Sequence, residues 1–129
     1  GCNMKIDEAD QKIINGFFRN YVDKGYKNPM NSVRLNKDHT GAHRRTIFEV
    51  CNSLLSLGIP FWTEVRLTCG CIPDVVCPTH VKPFIEVLSS ESEDDFLNLK
   101  LHNYPSDLRS RKSFILVDAK IPFKTDSIL

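Results

Sequence analysis

The chain has 129 residues, 41% hydrophobic and 26% charged, the composition of one ordinary globular domain with a modest core. Seventeen Lys and Arg against 16 Asp and Glu leave a formal net charge of +1, which excludes binding of nucleic acid by bulk polycation charge. No apolar run approaches the roughly 18 residues of a membrane span, and the opening Gly1-Cys2-Asn3-Met4-Lys5 does not read as a secretory signal.

The first element expected is a helix over Asp7 to Lys24, where Ile6, Ile13, Ile14, Phe17, Phe18, Tyr21 and Val22 recur at helical spacing. Gly25 closes it. Tyr26 to His39, with Asn28-Pro29, Asn31-Ser32 and Asn36, reads as a loop. Thr40 then caps a second helix whose apolar stripe is Ile47, Val50, Cys51, Leu54 and Leu55, stopped by Gly58 and Pro60. Strands follow at about 61–67, 71–77 and 81–89, the first two joined by a turn at Thr68-Cys69-Gly70. Ser90 with Glu93 three residues later offers a capping box for a third helix to about Asn103, ended by Tyr104-Pro105. Ser113 to Asp118 is a last apolar strand, and Ile121-Pro122-Phe123 a short extended edge.

This order predicts an α/β fold: a mixed central sheet flanked by helices, with the third helix as the crossover between parallel neighbours. One domain is expected, comprising an N-terminal helix and loop over 1–39, an αβββαβ core over 40–118 and a tail over 119–129. The positive charge is uneven. Residues 1–50 carry nine Lys and Arg against six acids, residues 51–129 eight against ten.

Two of the strands each hold one acid in an otherwise apolar, β-branched run: Asp74 in Ile72-Pro73-Asp74-Val75-Val76-Cys77, and Glu86 in Val81-Lys82-Pro83-Phe84-Ile85-Glu86-Val87-Leu88. A lone charge in such a strand costs several kcal/mol, so it is paired, protonated or bound to a cation. Two such acids on neighbouring strands suggest a carboxylate pair for Mg²⁺ or Mn²⁺. Glu64 could add a further acid from the preceding strand, or pair with Arg66 on a solvated face. Glu49 is the candidate from the second helix.

Other features carry less. Cys69, Cys71, Cys77 and His80 form a C-x-C-x5-C-x2-H set that zinc could use, although it lacks a C-x2-C knuckle and buried apolar thiols explain it too. Five cysteines without a secretory signal read as free thiols. His43-Arg44-Arg45 opens the second helix, where cations oppose the dipole; it reads as a solvated face, with phosphate contact as the alternative.

Helix, then strands bearing Pro73-Asp74 and Glu86-Val87-Leu88, then helix and strand, resembles the core of the PD-(D/E)xK nuclease superfamily over about residues 40–118. The stretch Glu86 to Pro105, with Ser90-Glu91, Lys100 and Tyr104-Pro105, is similar to archaeal and archaeal-virus members. The resemblance implies a nuclease acting on DNA, often as a homodimer. It also implies a cytoplasmic location, in the host cytoplasm for a viral member. Asp74 and Glu86 would then hold Mg²⁺ or Mn²⁺, Val87 would lend its carbonyl, and Glu64 or Glu49 would complete the set. The family's lysine falls on Leu88 here, so Lys100 from the following helix is the expected substitute. Two rivals stand beside that reading: a nucleic-acid-binding module of the same fold without catalysis, and a zinc-stabilised interaction protein.

Overall fold

The computed structural model of the chain describes residues 4–129; Gly1, Cys2 and Asn3, on which part of the signal-peptide reading falls, lie outside the described residues. Helix α1 (Glu8–Tyr21) starts where Asp7 accepts the Asp10 N–H at 2.7 Å, with Glu8 and Asp10 favouring the positive end of its dipole. It buries Ile14 and Phe17, which share one face. It ends at Tyr21 rather than Lys24, because Val22 turns extended and bridges Leu67. Helix α2 (Gly41–Leu57) is capped by Thr40, whose Oγ1 accepts the His43 N–H at 3.1 Å. Gly58 closes it in the left-handed region at φ 73°, its N–H returning to the Leu54 and Leu55 carbonyls.

Four strands form one mixed sheet in the order β1 (Trp62–Thr63), β2 (Val75–Val76), β3 (Phe84–Leu88) and β4 (Phe114–Asp118). The first three run antiparallel; β3 and β4 are parallel, from Phe84 opposite Phe114 to Leu88 opposite Asp118. A parallel pair needs a long crossover, and residues 89–113 supply it with helix α3 (Glu93–Leu99) and three 3₁₀ turns.

Side chains alternate across the sheet. Ile85, Val87, Ile115 and Val117 pack with Ile47, Val50 and Leu54 of α2. Phe84, Leu88 and Phe114 face the other way, onto Phe17 of α1, Phe96 of α3 and Tyr104. Each such side chain, fully buried, contributes about 1.5–3 kcal/mol, so the sheet is held from both faces. Glu86 falls in register with Phe84 and Leu88, on the aromatic side.

The strands are shorter than their apolar runs. Glu64 adopts φ 50° and breaks the first, Gly70 at φ 95° shapes the turn, and Pro73 has no N–H to give a ladder. Residues 78–82 form a turn, with the Cys77 N–H on the Pro83 carbonyl at 2.7 Å, so β3 begins only at Phe84. The capping box of α3 is made by Ser92 and Asp95 rather than Ser90 and Glu93. That helix stops at Leu99 rather than Asn103: with Phe96 fully buried, the chain tightens into a 3₁₀ turn that carries Tyr104 under the sheet. The tail adds no strand edge; a final 3₁₀ turn at Thr125–Ile128 buries Ile128 on the α2 side. No helix among the described residues is long and apolar enough to cross a membrane.

Candidate functional site

Asp74 stands at the head of β2, opposite Glu64, whose N–H donates to the Asp74 carbonyl at 3.2 Å. Just beyond the paired stretch of β2 and β3, each acid's carboxylate accepts a backbone N–H from across the strands. The Val87 N–H donates to Asp74 Oδ2 at 2.8 Å, and the Asp74 N–H donates to Glu86 Oε1 at 3.0 Å. The Tyr104 hydroxyl donates to that same Glu86 oxygen at 3.2 Å. Asp74 is 7% exposed and Glu86 9%. Both carboxyls therefore sit inside the fold, joined through backbone rather than through a lysine.

Two histidines complete the neighbourhood. His43 lies in the first turn of α2, 6% exposed, with Nε2 3.4 Å from Asp74 Oδ2. His39 precedes the Thr40 cap, and its ring centroid lies 3.9 Å from that of His43. One ligand atom from each of His39, His43 and Asp74 fall within 4.8 Å of one another, the only such group of three among the described residues. Three buried side-chain atoms among the described residues have no hydrogen-bond partner: His39 Nδ1, His43 Nδ1 and Glu64 Oε1. All three belong to this neighbourhood.

The electrostatics follow from crowding acids and imidazoles away from water. Burial disfavours a charged His43, but the Asp74 hydrogen bond and charge, with the Val87 backbone and Glu64, outweigh it and raise its pKa. Burial, then the neighbouring His43, pushes His39 down. Burial and the Asp74 charge push Glu64 up, against His43 and Arg34. Burial and Asp74 push Glu86 well above the usual carboxylate range, against the Asp74 N–H and the Tyr104 hydroxyl.

A cleft of about 290 Å³ lies over this group, lined by Asp74, Glu86, Val87, His39, His43 and Lys100 among others. Lys100 thus shares the cleft with both acids, but its Nζ is held 3.0 Å from Glu91 Oε1. Leu88 is buried in the aromatic core and offers the cleft nothing. Glu49 is not brought there: one residue before Val50, it lies about 100° around α2 from that member of the buried stripe and does not line the cleft. From α2 it is His43, not an acid, that reaches Asp74.

The zinc-like set does not converge. Cys77 is fully buried on the α2 side, Cys71 packs against the opposite core and Cys69 is exposed. Both ring nitrogens of His80 are engaged, Nε2 with the Ile128 carbonyl at 2.9 Å and Nδ1 with the Lys82 N–H at 2.9 Å. Sequence reasoning passed over His39 and His43 as ligands. Their spacing of four residues across a helix start was the available signal, since it puts two imidazoles on one side of a first turn.

The chain matches no protein-family model, no curated protein and no solved structure.

Proposed function

We propose that the chain is a divalent-metal-dependent nuclease hydrolysing DNA phosphodiester bonds at a cation site centred on Asp74. One observation carries the reading: the buried unpartnered atoms among the described residues belong to His39, His43 and Glu64, and all three residues surround Asp74. An unmet buried polar atom costs about 1–3 kcal/mol, and a cation among these groups removes that cost.

The donor set fits such an ion. Asp74 would be the central carboxylate, His39 and His43 the nitrogen donors, with Glu86, Glu64 and the Val87 carbonyl beside them. Carboxylates alone suit Mg²⁺; imidazoles shift the preference toward Mn²⁺ and other first-row ions. A cation held there supplies Lewis acidity, neutralising charge on a phosphate and making water a better nucleophile. Burial and the Asp74 charge raise the Glu86 pKa, and positive charge beside Asp74 would oppose that rise. Lys100 adds fixed positive charge at the rim, where an entering phosphate meets it.

The element order α2, β1, β2, β3, α3, β4, with acids at the head of β2 and within β3, supports a restriction-endonuclease-like core. A catalytically silent nucleic-acid-binding module of the same fold is favoured by one observation, the buried Leu88 with Lys100 tied to Glu91. Incubating plasmid, linear duplex, single strand and four-way junction with Mg²⁺, Mn²⁺ or EDTA separates the two. Cutting that needs Mn²⁺ or Mg²⁺ and disappears in Asp74→Asn supports the nuclease. DNA that is bound yet left uncut with either metal overturns it.

A further inference from the structure

A second concavity, about 540 Å³, opens beside the cleft, and Ile72 lines both. Lys27, Arg34, Lys37 and Arg66 line it against a single acid, Glu64. All four cations are exposed and form no ion pair among the described residues. With a net charge of only +1 on the whole chain, this is a local concentration of charge, not a general basic surface.

The backbone that carries these cations is held in place by the fold. Three of them come from the segment between α1 and α2, which is fastened to the first strand. The Tyr26 hydroxyl donates to the Thr63 carbonyl at 2.6 Å, and the Asn31 N–H to the Phe61 carbonyl at 2.8 Å. Asn31 Oδ1 accepts the Phe61 N–H at 3.1 Å. Thr63 Oγ1 accepts the Arg34 N–H at 3.0 Å and donates to the Ser32 carbonyl at 2.7 Å. The fourth, Arg66, follows two residues after Glu64. Like charges gathered on a fixed concave wall repel one another, and an anion lying between them relieves that repulsion. A trough of this size with four separate cations exceeds what one phosphate needs and suits successive phosphates of a chain.

We propose that this trough binds the phosphodiester backbone of a nucleic-acid strand and leads it past Ile72 and Glu64 to Asp74. The polymeric ligand rests on the nuclease reading; the anion chemistry stands on the trough itself.

The test measures binding of labelled single-stranded and duplex oligonucleotides in EDTA, across a salt series, with tripolyphosphate as a non-nucleic polyanion. The proteins are wild type, the double variant Arg34→Ala with Lys37→Ala, and a control removing two exposed lysines elsewhere, Lys12→Ala with Lys124→Ala. Each lost phosphate contact lowers the slope of log affinity against log salt by about 0.7 for single strands or 0.9 for duplex. The double variant is expected to lose about 1.4 to 1.8 in slope and about tenfold or more in affinity at low salt, the control neither. A double variant that binds like the control overturns the proposal. So does tripolyphosphate binding that depends on Arg34 and Lys37 while no oligonucleotide binds. Parallel Mn²⁺ cleavage separates the two ideas: cutting unaffected by the double variant sinks the trough alone. Oligonucleotide binding through Arg34 and Lys37 without cutting under any metal sinks the nuclease and leaves the trough.

Discussion

At Cys77 and His80 the potential metal ligands are spent on the fold; around Asp74, at His39, His43 and Glu64, they are not. His80 uses both ring nitrogens on the Ile128 carbonyl and the Lys82 N–H, and Cys77 lies in apolar packing on the α2 side. His39, His43 and Glu64, by contrast, each keep a buried atom with no partner, beside a buried Asp74. Both regions offer side chains able to bind a metal. What separates them is unmet hydrogen-bonding capacity in a place water reaches poorly, which is the condition a cation relieves.

Asp74→Asn keeps the side-chain oxygen that accepts the Val87 N–H and removes the charge at the centre of the site. Metal-dependent cleavage is expected to fall by about a thousandfold, the scale of losing a principal electrostatic stabiliser. Single-turnover rates at saturating Mn²⁺ measure this; a loss under tenfold moves the centre elsewhere. His43→Ala is expected to weaken Mn²⁺ binding by about a hundredfold, at or beyond the range for losing a supporting group of a metal site.

His80→Ala is the opposite case. It leaves cation affinity unchanged and costs about 1–3 kcal/mol of stability, since two part-buried hydrogen-bond partners are stranded. Chemical denaturation reads that loss, and a cation defect in this variant would erase the distinction between the regions.

Glu86→Gln tests the same contrast through pH. With its folded pKa raised, Glu86 binds more protons folded than unfolded above the ordinary value of about 4.3. Wild-type stability therefore declines as pH rises from there toward the folded pKa. Glu86→Gln carries no such charge, so near neutral pH it is expected to melt a few degrees higher. At this chain size about 1 kcal/mol corresponds to roughly 3–6 °C. Thermal scans of both proteins at acid and neutral pH measure it, and identical pH profiles would count against a strained Glu86.

Much of the framework was legible in the chain. The 3–4 spacing, Thr40 and Gly58 marked α2 closely, and Asp7 with the stripe to Phe17 marked α1. Asp74 and Glu86 stood out because charge interrupts apolar runs, and the fold joins them by the Asp74 N–H to Glu86 Oε1 hydrogen bond. Strand lengths were not legible, because apolar composition continues through residues that turn, such as Val65 and Leu67 after the left-handed Glu64. The histidines were hidden for another reason. His39 lies in an apparent loop and His43 in a basic helix start, and only the tertiary packing of that loop and of α2 brings them to Asp74. Glu49 was attractive as an acid on the right helix, but the buried phase of α2 selects His43 instead.

The most direct measurement is a calorimetric titration of Mn²⁺ into metal-free wild type, His43→Ala and His80→Ala side by side. Saturable binding by wild type and His80→Ala is expected, with strongly weakened binding by His43→Ala. Wild type without Mn²⁺ binding, or binding that depends on His80 and not on His43, would contradict a cation site at Asp74.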